Sequence, residues 1–216
     1  TNDVSSAVAS RKKIRKIFEH TSSIREAEHP VVLDKVKGEI TFSDVDFAIE
    51  GNGILRDVSF VIPAGKTLGI MGATGSGKSS IINLMQRFYD VQSGSVRLDG
   101  VDVRELTIKQ LRENIAVVMQ DVFLFSDTIE ENIKMGRRDT MPMEEIKAAA
   151  ASAQASGFIE DMDQQYETVV GERGVGLSGG QKQRISIARA LSKHCPILVM
   201  DDSTWIWRRS MKFRRC

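Results

Sequence analysis

The sequence predicts an α/β fold with a phosphate-cradling loop at its centre, an antiparallel β portion ahead of that loop and a helical portion behind it. Three observations carry this. Apolar residues alternate from Glu39 to Ile62, as paired strands require. A glycine-rich loop stands between an apolar run and a helical pattern over residues 68–88. Two continuous apolar runs, Ile115–Met119 and Ile197–Met200, read as parallel strands covered on both faces.

Residues 1–37 read as a connector, with a basic helical stretch from Ala7 to Glu19 and polar linker around Thr21–Ser23 and Glu28–Pro30. Ile40, Phe42, Val45 and Phe47 form one strand and Leu55, Val58, Phe60 and Ile62 the next, turned by Glu50-Gly51-Asn52-Gly53. The run Leu68-Gly69-Ile70-Met71 is expected as a strand, and Ile81, Ile82, Leu84, Met85 and Phe88 as the apolar stripe of a helix. Between the two buried strands, Thr140–Met162 is alanine-rich, with Ile146, Ala149, Ala150, Ala153 and Phe158 at helical spacing and Pro142 in the first turn. A helical sub-domain is therefore expected over about 121–190.

Composition permits an ordinary core: 216 residues, 41% apolar and 27% charged. No apolar run approaches the ~20 residues that span a bilayer. The basic N-terminal stretch has no apolar segment behind it and does not read as a signal peptide. Cys195 and Cys216 are too few for a disulfide or metal framework, which suits a reducing compartment. Residues 205–216 carry five basic and no acidic side chains, leaving 25 basic against 29 acidic groups in residues 1–204. That balance gives no reason to expect nucleic acid as a partner.

Gly72-Ala73-Thr74-Gly75-Ser76-Gly77-Lys78-Ser79, followed by Ser80, fits G-x-x-x-x-G-K-[ST] in the strand–loop–helix setting of a P-loop. Without Cβ atoms such a loop curls its N–H groups toward phosphate oxygens, and the following helix adds its positive end. Lys78 is expected to reach the β- and γ-phosphates of ATP and the Ser79 hydroxyl to ligate Mg²⁺. Asp201, ending the apolar run Ile197–Met200, supplies the acidic group such a site needs on its metal side. Leu177-Ser178-Gly179-Gly180-Gln181 opens a helix with Ile185, Ala188 and Leu191 at helical spacing. The S-x-x-Q spacing is that of a capping box, and the two glycines leave a bare helix end suited to a second phosphate contact. One chain cannot easily aim both loops at one γ-phosphate, whereas a sandwich of two chains can.

In this order, GATGSGKS, a downstream glutamine, LSGGQ and ILVMD resemble the ABC ATPase family over residues 38–204. The resemblance implies a P-loop NTPase (RecA-like) core with an antiparallel β sub-domain and an α-helical sub-domain. It implies that two such domains sandwich two ATP molecules, each held by one subunit's P-loop and the other's signature loop. Gln120 matches the glutamine that senses Mg²⁺ and the membrane domain. Gly171-Glu172-Arg173-Gly174 looks like the loop with which exporters contact their coupling helices. The stretches Phe123–Ile133 and Ile17–Glu19 are likewise similar to multidrug and lipid exporters. The implied role is ATP-driven export, at the cytoplasmic face of a cell membrane.

Three departures qualify this. Ile49 stands where such families usually stack an aromatic residue on adenine; base stacking is worth about 1–3 kcal/mol on single strands, so lower nucleotide affinity is expected. Asp202 occupies the position of the catalytic glutamate, and a misplacement of about 1 Å costs roughly a hundredfold in rate. The resemblance then implies the weaker-site subunit of a heterodimer, or alternatively a module that dimerises on ATP with little hydrolysis. Finally, Trp205–Cys216 does not resemble the family. Back-translated with two bases dropped, it reads Asp-Met-Glu-Thr-Glu-His-Glu-Ile-Gln-Glu-Val, similar to the family's next segment, so the expectation is a frameshift that leaves the fold incomplete at the C-terminus.

Overall fold

In the computed structural model, residues 8, 10–15, 18–19, 22–135 and 141–201 are described. Asp202 and the tail 205–216, as well as parts of the basic N-terminal stretch, lie outside them.

Strand β1 (Ile40–Ile49) is the centre of the β portion, antiparallel to both β2 (Asn52–Ile62) and β3 (Ser93–Leu98), with β4 (Val101–Asp102) beyond β3. The register Ile40↔Ile62, Phe42↔Phe60 and Phe47↔Leu55 places the expected apolar residues of β1 inward, and Ile40, Phe42, Val45 and Phe47 are all buried. Phe42 and Phe60 stack across the pair at 4.5 Å between ring centroids. Gly94 is required where β3 crosses the irregular stretch of β1: a Cβ there would lie 2.3 Å from the carbonyl oxygens of Ser43 and Asp44.

Between β2 and β3 in the chain come the P-loop and α1 (Lys78–Met85), whose Ile81, Leu84 and Met85 are buried against this sheet. Helix α2 (Ile108–Glu113), capped by Thr107, leads to β5 (Ile115–Val118), which pairs in parallel with β6 (Ile197–Met200) from Ile115↔Ile197 to Val118↔Met200. A second core joins β5 to α3 (Ile129–Lys134), α4 (Met143–Ser152), α5 (Ser156–Glu160) and α6 (Gly179–Ser192). Pro142 is the residue before α4 rather than within its first turn.

The run Leu68–Met71 departs from expectation. It forms no strand: among the described residues it has no ladder partner, and β6 pairs with β5 alone. A strand needs a hydrogen-bonded neighbour, but a groove of about 210 Å³ separates Thr67, Leu68 and Ile70 from Ile197–Asp201. Met71, beside it, is 96% exposed.

The connector is strapped onto this body. Asp99 accepts hydrogen bonds from the successive amides of Lys37, Gly38 and Glu39 at 2.6, 3.1 and 2.8 Å. Gln110 Nε2 donates to the Leu33 carbonyl at 2.9 Å, and Arg87 at the end of α1 donates to the Arg25 carbonyl at 2.7 Å.

Candidate functional site: a phosphate loop and a separate glycine-led helix

Gly72–Ser76 is an exposed turn, closed by the Ser76 amide donating to the Ala73 carbonyl at 3.2 Å. It enters α1 through Gly77, at φ 90°, buried under Leu55 and Ile54 of β2. Gly77 offers no side chain to cap the helix, whose first turn also lacks acidic residues. The first α-helical bond joins the Ile81 amide to the Gly77 carbonyl at 3.1 Å, so the amides of Lys78, Ser79 and Ser80 lie ahead of it. An uncapped helix start behind a glycine turn is an anion site in wait.

Lys78 Nζ folds back over the loop and donates to the carbonyls of Gly72 and Ala73 at 2.9 and 3.0 Å. Ser79 Oγ donates to Asp201 Oδ2 at 3.1 Å, bringing the loop helix to the end of β6. These two are the expected metal-side pair. Among the described residues no group of three His, Cys, Asp or Glu side chains converges on one point. A hydroxyl with one carboxylate suits Mg²⁺, which keeps most of its shell for water and phosphate oxygens.

Gln120 is exposed just past the end of β5, and Ile49 ends β1 half-buried, opposite Asn52 at the hairpin turn. Asp202 lies outside the described residues.

The second loop is built differently. Ser178 Oγ accepts from the Gln181 amide at 3.3 Å, and Gln181 Oε1 accepts from the Ser178 amide at 2.8 Å, completing a capping box on α6. The side chains of Ser178 and Gln181 are thus engaged in holding the helix start. Gly179 and Gly180 face open space, with no atom within 4 Å of a Cβ built on either. Leu177 packs on the helical core. None of these five residues lines the groove below the P-loop, where Lys78 and Asp201 stand. The structure therefore brings Lys78, Ser79 and Asp201 together and leaves residues 177–181 as a separate, outward-facing element.

Comparisons with known proteins give the family. The family profile described as ABC transporter matches residues 55–205. The chain belongs to the ABC transporter family. It is 49% identical over 179 residues to the ATP-dependent lipid A-core flippase of Sodalis glossinidius (strain morsitans), covering 82% of this chain and 31% of that protein. It is 45% identical over 199 residues to the beta-(1→2)glucan export ATP-binding/permease protein NdvA of Rhizobium meliloti (strain 1021), covering 90% and 34%. A solved bacterial Atm1-family ABC exporter with ATP bound superposes with a TM-score of 0.83 at 37% identity, over 92% of this chain and 35% of that one. The chain thus spans about a third of the length of these relatives. The fold is that of an ABC nucleotide-binding domain, a P-loop NTPase core with its β and helical portions.

Sequence reasoning passed over two features of this region. A groove of about 540 Å³ runs beside the second loop, between Asp161–Gln164, Thr168–Val170 and Val175–Leu177. The exposed Val169 and Val175 on its rim were its only sequence signal. The other is Asn132, wholly buried in α3 between Ile129 and Ile133 and bonded to Arg189 of α6. A polar residue on an apolar helix stripe was the sign of it.

Proposed function

We propose that this chain is the ATP-binding, energy-coupling domain of an exporter. It binds Mg-ATP through Gly72–Ser80, Ser79 and Asp201, with Gln120 at the rim, and offers Leu177–Gln181 to the nucleotide held by a second such domain. The observation that carries this reading is the Ser79–Asp201 contact under an uncapped loop helix, with the open Gly179–Gly180 turn outside the same groove. A loop that cannot serve its own chain's phosphate is positioned to serve another's.

Mg²⁺, when bound, neutralises phosphate charge at the reacting group. The chain's own contributions are the Lys78 ammonium, the amides at the start of α1 and the carboxylate of Asp201. Ile49 offers aliphatic contact to adenine. Hydrolysis would draw on Asp202 and Gln120 as the groups that orient water. The relatives are named as a flippase and an export permease, which supports a membrane partner and a place on the cytoplasmic face. The groove between Thr168–Val170 and Val175–Leu177, next to Gly171–Gly174, has the apolar rim that a coupling helix would fill. Among the described residues no helix is long and apolar enough to cross a membrane.

Titration of the chain with ATP and Mg²⁺, followed by sedimentation, tests the reading. Saturable binding weakened roughly 10- to 100-fold by Lys78→Ala, with mass doubling alone or with a second cassette, is expected. Binding that survives Lys78→Ala unchanged overturns it. Asp202, shorter than glutamate by one methylene, favours a second reading, in which this P-loop holds ATP with little turnover while residues 177–181 complete the active site of a different partner. A rise in turnover on Asp202→Glu in the paired transporter is then expected, and no rise rejects it.

A further inference from the structure

Helix α6 begins at the open glycine turn and ends on a grip that the family assignment does not predict. Arg189, half-buried near its C-terminal end, spreads its guanidinium over three oxygens of one neighbouring stretch. Nε donates to the Asn132 carbonyl at 2.8 Å, Nη2 to Asn132 Oδ1 at 2.7 Å and Nη1 to the Phe123 carbonyl at 2.9 Å. Asn132, at 0% exposure, continues the network. Its Oδ1 accepts from the Phe125 amide at 2.9 Å, and its Nδ2 donates to the carbonyls of Phe125 and Thr128, both at 3.0 Å.

Two points make this more than ordinary packing. Among the described residues no carboxylate lies within ion-pair distance of Arg189, so this half-buried cation is balanced by neutral oxygens and by the Phe125 ring, 5.8 Å from the guanidinium carbon, and not by a counter-charge, an arrangement that costs desolvation. Burial accordingly lowers its pKa from the ordinary guanidinium value. The gripped loop begins just beyond Gln120 and exposes the edge-to-face pair Phe123 and Phe125, while α6 starts just past its cap, Ser178. One guanidinium therefore spans the two stretches that flank the proposed nucleotide contacts.

We propose that Arg189 is a positioning residue, joining the Phe123–Asp127 loop to α6 so that the two move as one body. A push on the exposed aromatic pair would then shift the helix, and with it the glycine turn, as a rigid rod of 14 residues. The consequence for ATP turnover rests on the function proposed above, whereas the mechanical joint does not.

Hydrogen exchange on the full 216-residue chain without nucleotide tests the joint, with the melting midpoint recorded alongside. In the native chain, amides of 123–128 and 185–192 are expected to open together, with a shared denaturant dependence. In Arg189→Lys, whose ammonium cannot bridge three acceptors, the loop should exchange about tenfold faster or more while α6 keeps its protection. Arg189→Gln carries no charge to bury and gives the same reading if the lysine variant folds poorly. Ser192→Ala removes the neighbouring bond to the Ile133 carbonyl (2.8 Å) and should leave the loop coupled. Loop exchange within about twofold of native in both Arg189 variants overturns the proposal. So does a uniform rise across the whole domain that follows the melting midpoint. Because no nucleotide is present, either failure leaves the ATP-binding assignment standing.

Discussion

Ser79 and Asp201 are 122 residues apart in sequence, and the serine hydroxyl donates to the carboxylate at 3.1 Å. That contact fixes the start of α1 against the end of β6 and leaves the second carboxylate oxygen and the serine lone pairs for a shared cation. Asp201→Asn keeps the shape and removes the charge. ATP affinity measured with Mg²⁺ should fall by about tenfold, as for loss of a charged hydrogen-bond partner. Affinity measured in EDTA should hardly change. A loss of equal size with and without Mg²⁺ would place Asp201 in packing alone.

Lys78 separates binding from stability more cleanly. Its ammonium rests on two loop carbonyls at 2.9 and 3.0 Å, bonds it can exchange for phosphate oxygens without moving the backbone. Lys78→Ala should lower ATP affinity by roughly 10- to 100-fold through loss of charge-assisted bonds. Stability should shift by about 1 kcal/mol or less, because no buried group is stranded. Calorimetric titration paired with a thermal melt reads both numbers.

The parts of the fold legible in the sequence are those whose signal is local. The β1–β2 hairpin announced itself through alternation and Glu50-Gly51-Asn52-Gly53, and the P-loop and capping box through fixed spacings that a short stretch of chain satisfies by itself. Leu68–Met71 was misread because its apolar run carries no record of what lies beside it; strand formation is settled by a neighbour, and here a groove intervenes. Helix α3 was passed over for the opposite reason. Six residues give too short a period to recognise, and its buried Asn132 is held by Arg189, a partner 57 residues away in sequence. Ser79 and Asp201 could be named as a pair only because their residue types, and not their positions, implied a common ion.

Gly77 and Gly180 test the division of the two loops. At Gly77, φ is 90° and an added Cβ would lie 2.7 Å from Leu55 Cδ2 and 3.2 Å from Ile54 Cγ2. Gly77→Ala should destabilise the chain by about 1–3 kcal/mol, read as a lower denaturation midpoint. Gly180 has nothing within 4 Å. Gly180→Asp should leave the midpoint of the isolated chain nearly unchanged, yet prevent ATP-dependent association by setting a carboxylate where a second chain's phosphate would approach. Sedimentation with ATP distinguishes this from native behaviour, and a variant that associates normally would count against the two-chain arrangement.

Acid stability should carry the mark of Asp102 at the end of the β sheet. Burial raises its pKa, but the hydrogen bonds and charge of Arg104, at 2.7 and 2.9 Å, outweigh that effect, with Arg97 adding to them, and the net value falls below 3.8. A carboxylate whose folded pKa is depressed binds its proton more readily when unfolded. Its contribution is therefore complete above the unfolded value and is lost as pH drops through the lower folded one. Denaturant melts between about pH 5 and pH 2 should show the native chain losing stability on this limb. Asp102→Asn should be less stable at neutral pH and flatter across the same range, with the two curves converging at the acid end. Parallel curves over the whole range would show that the Arg104 pairing does not contribute to the acid limb.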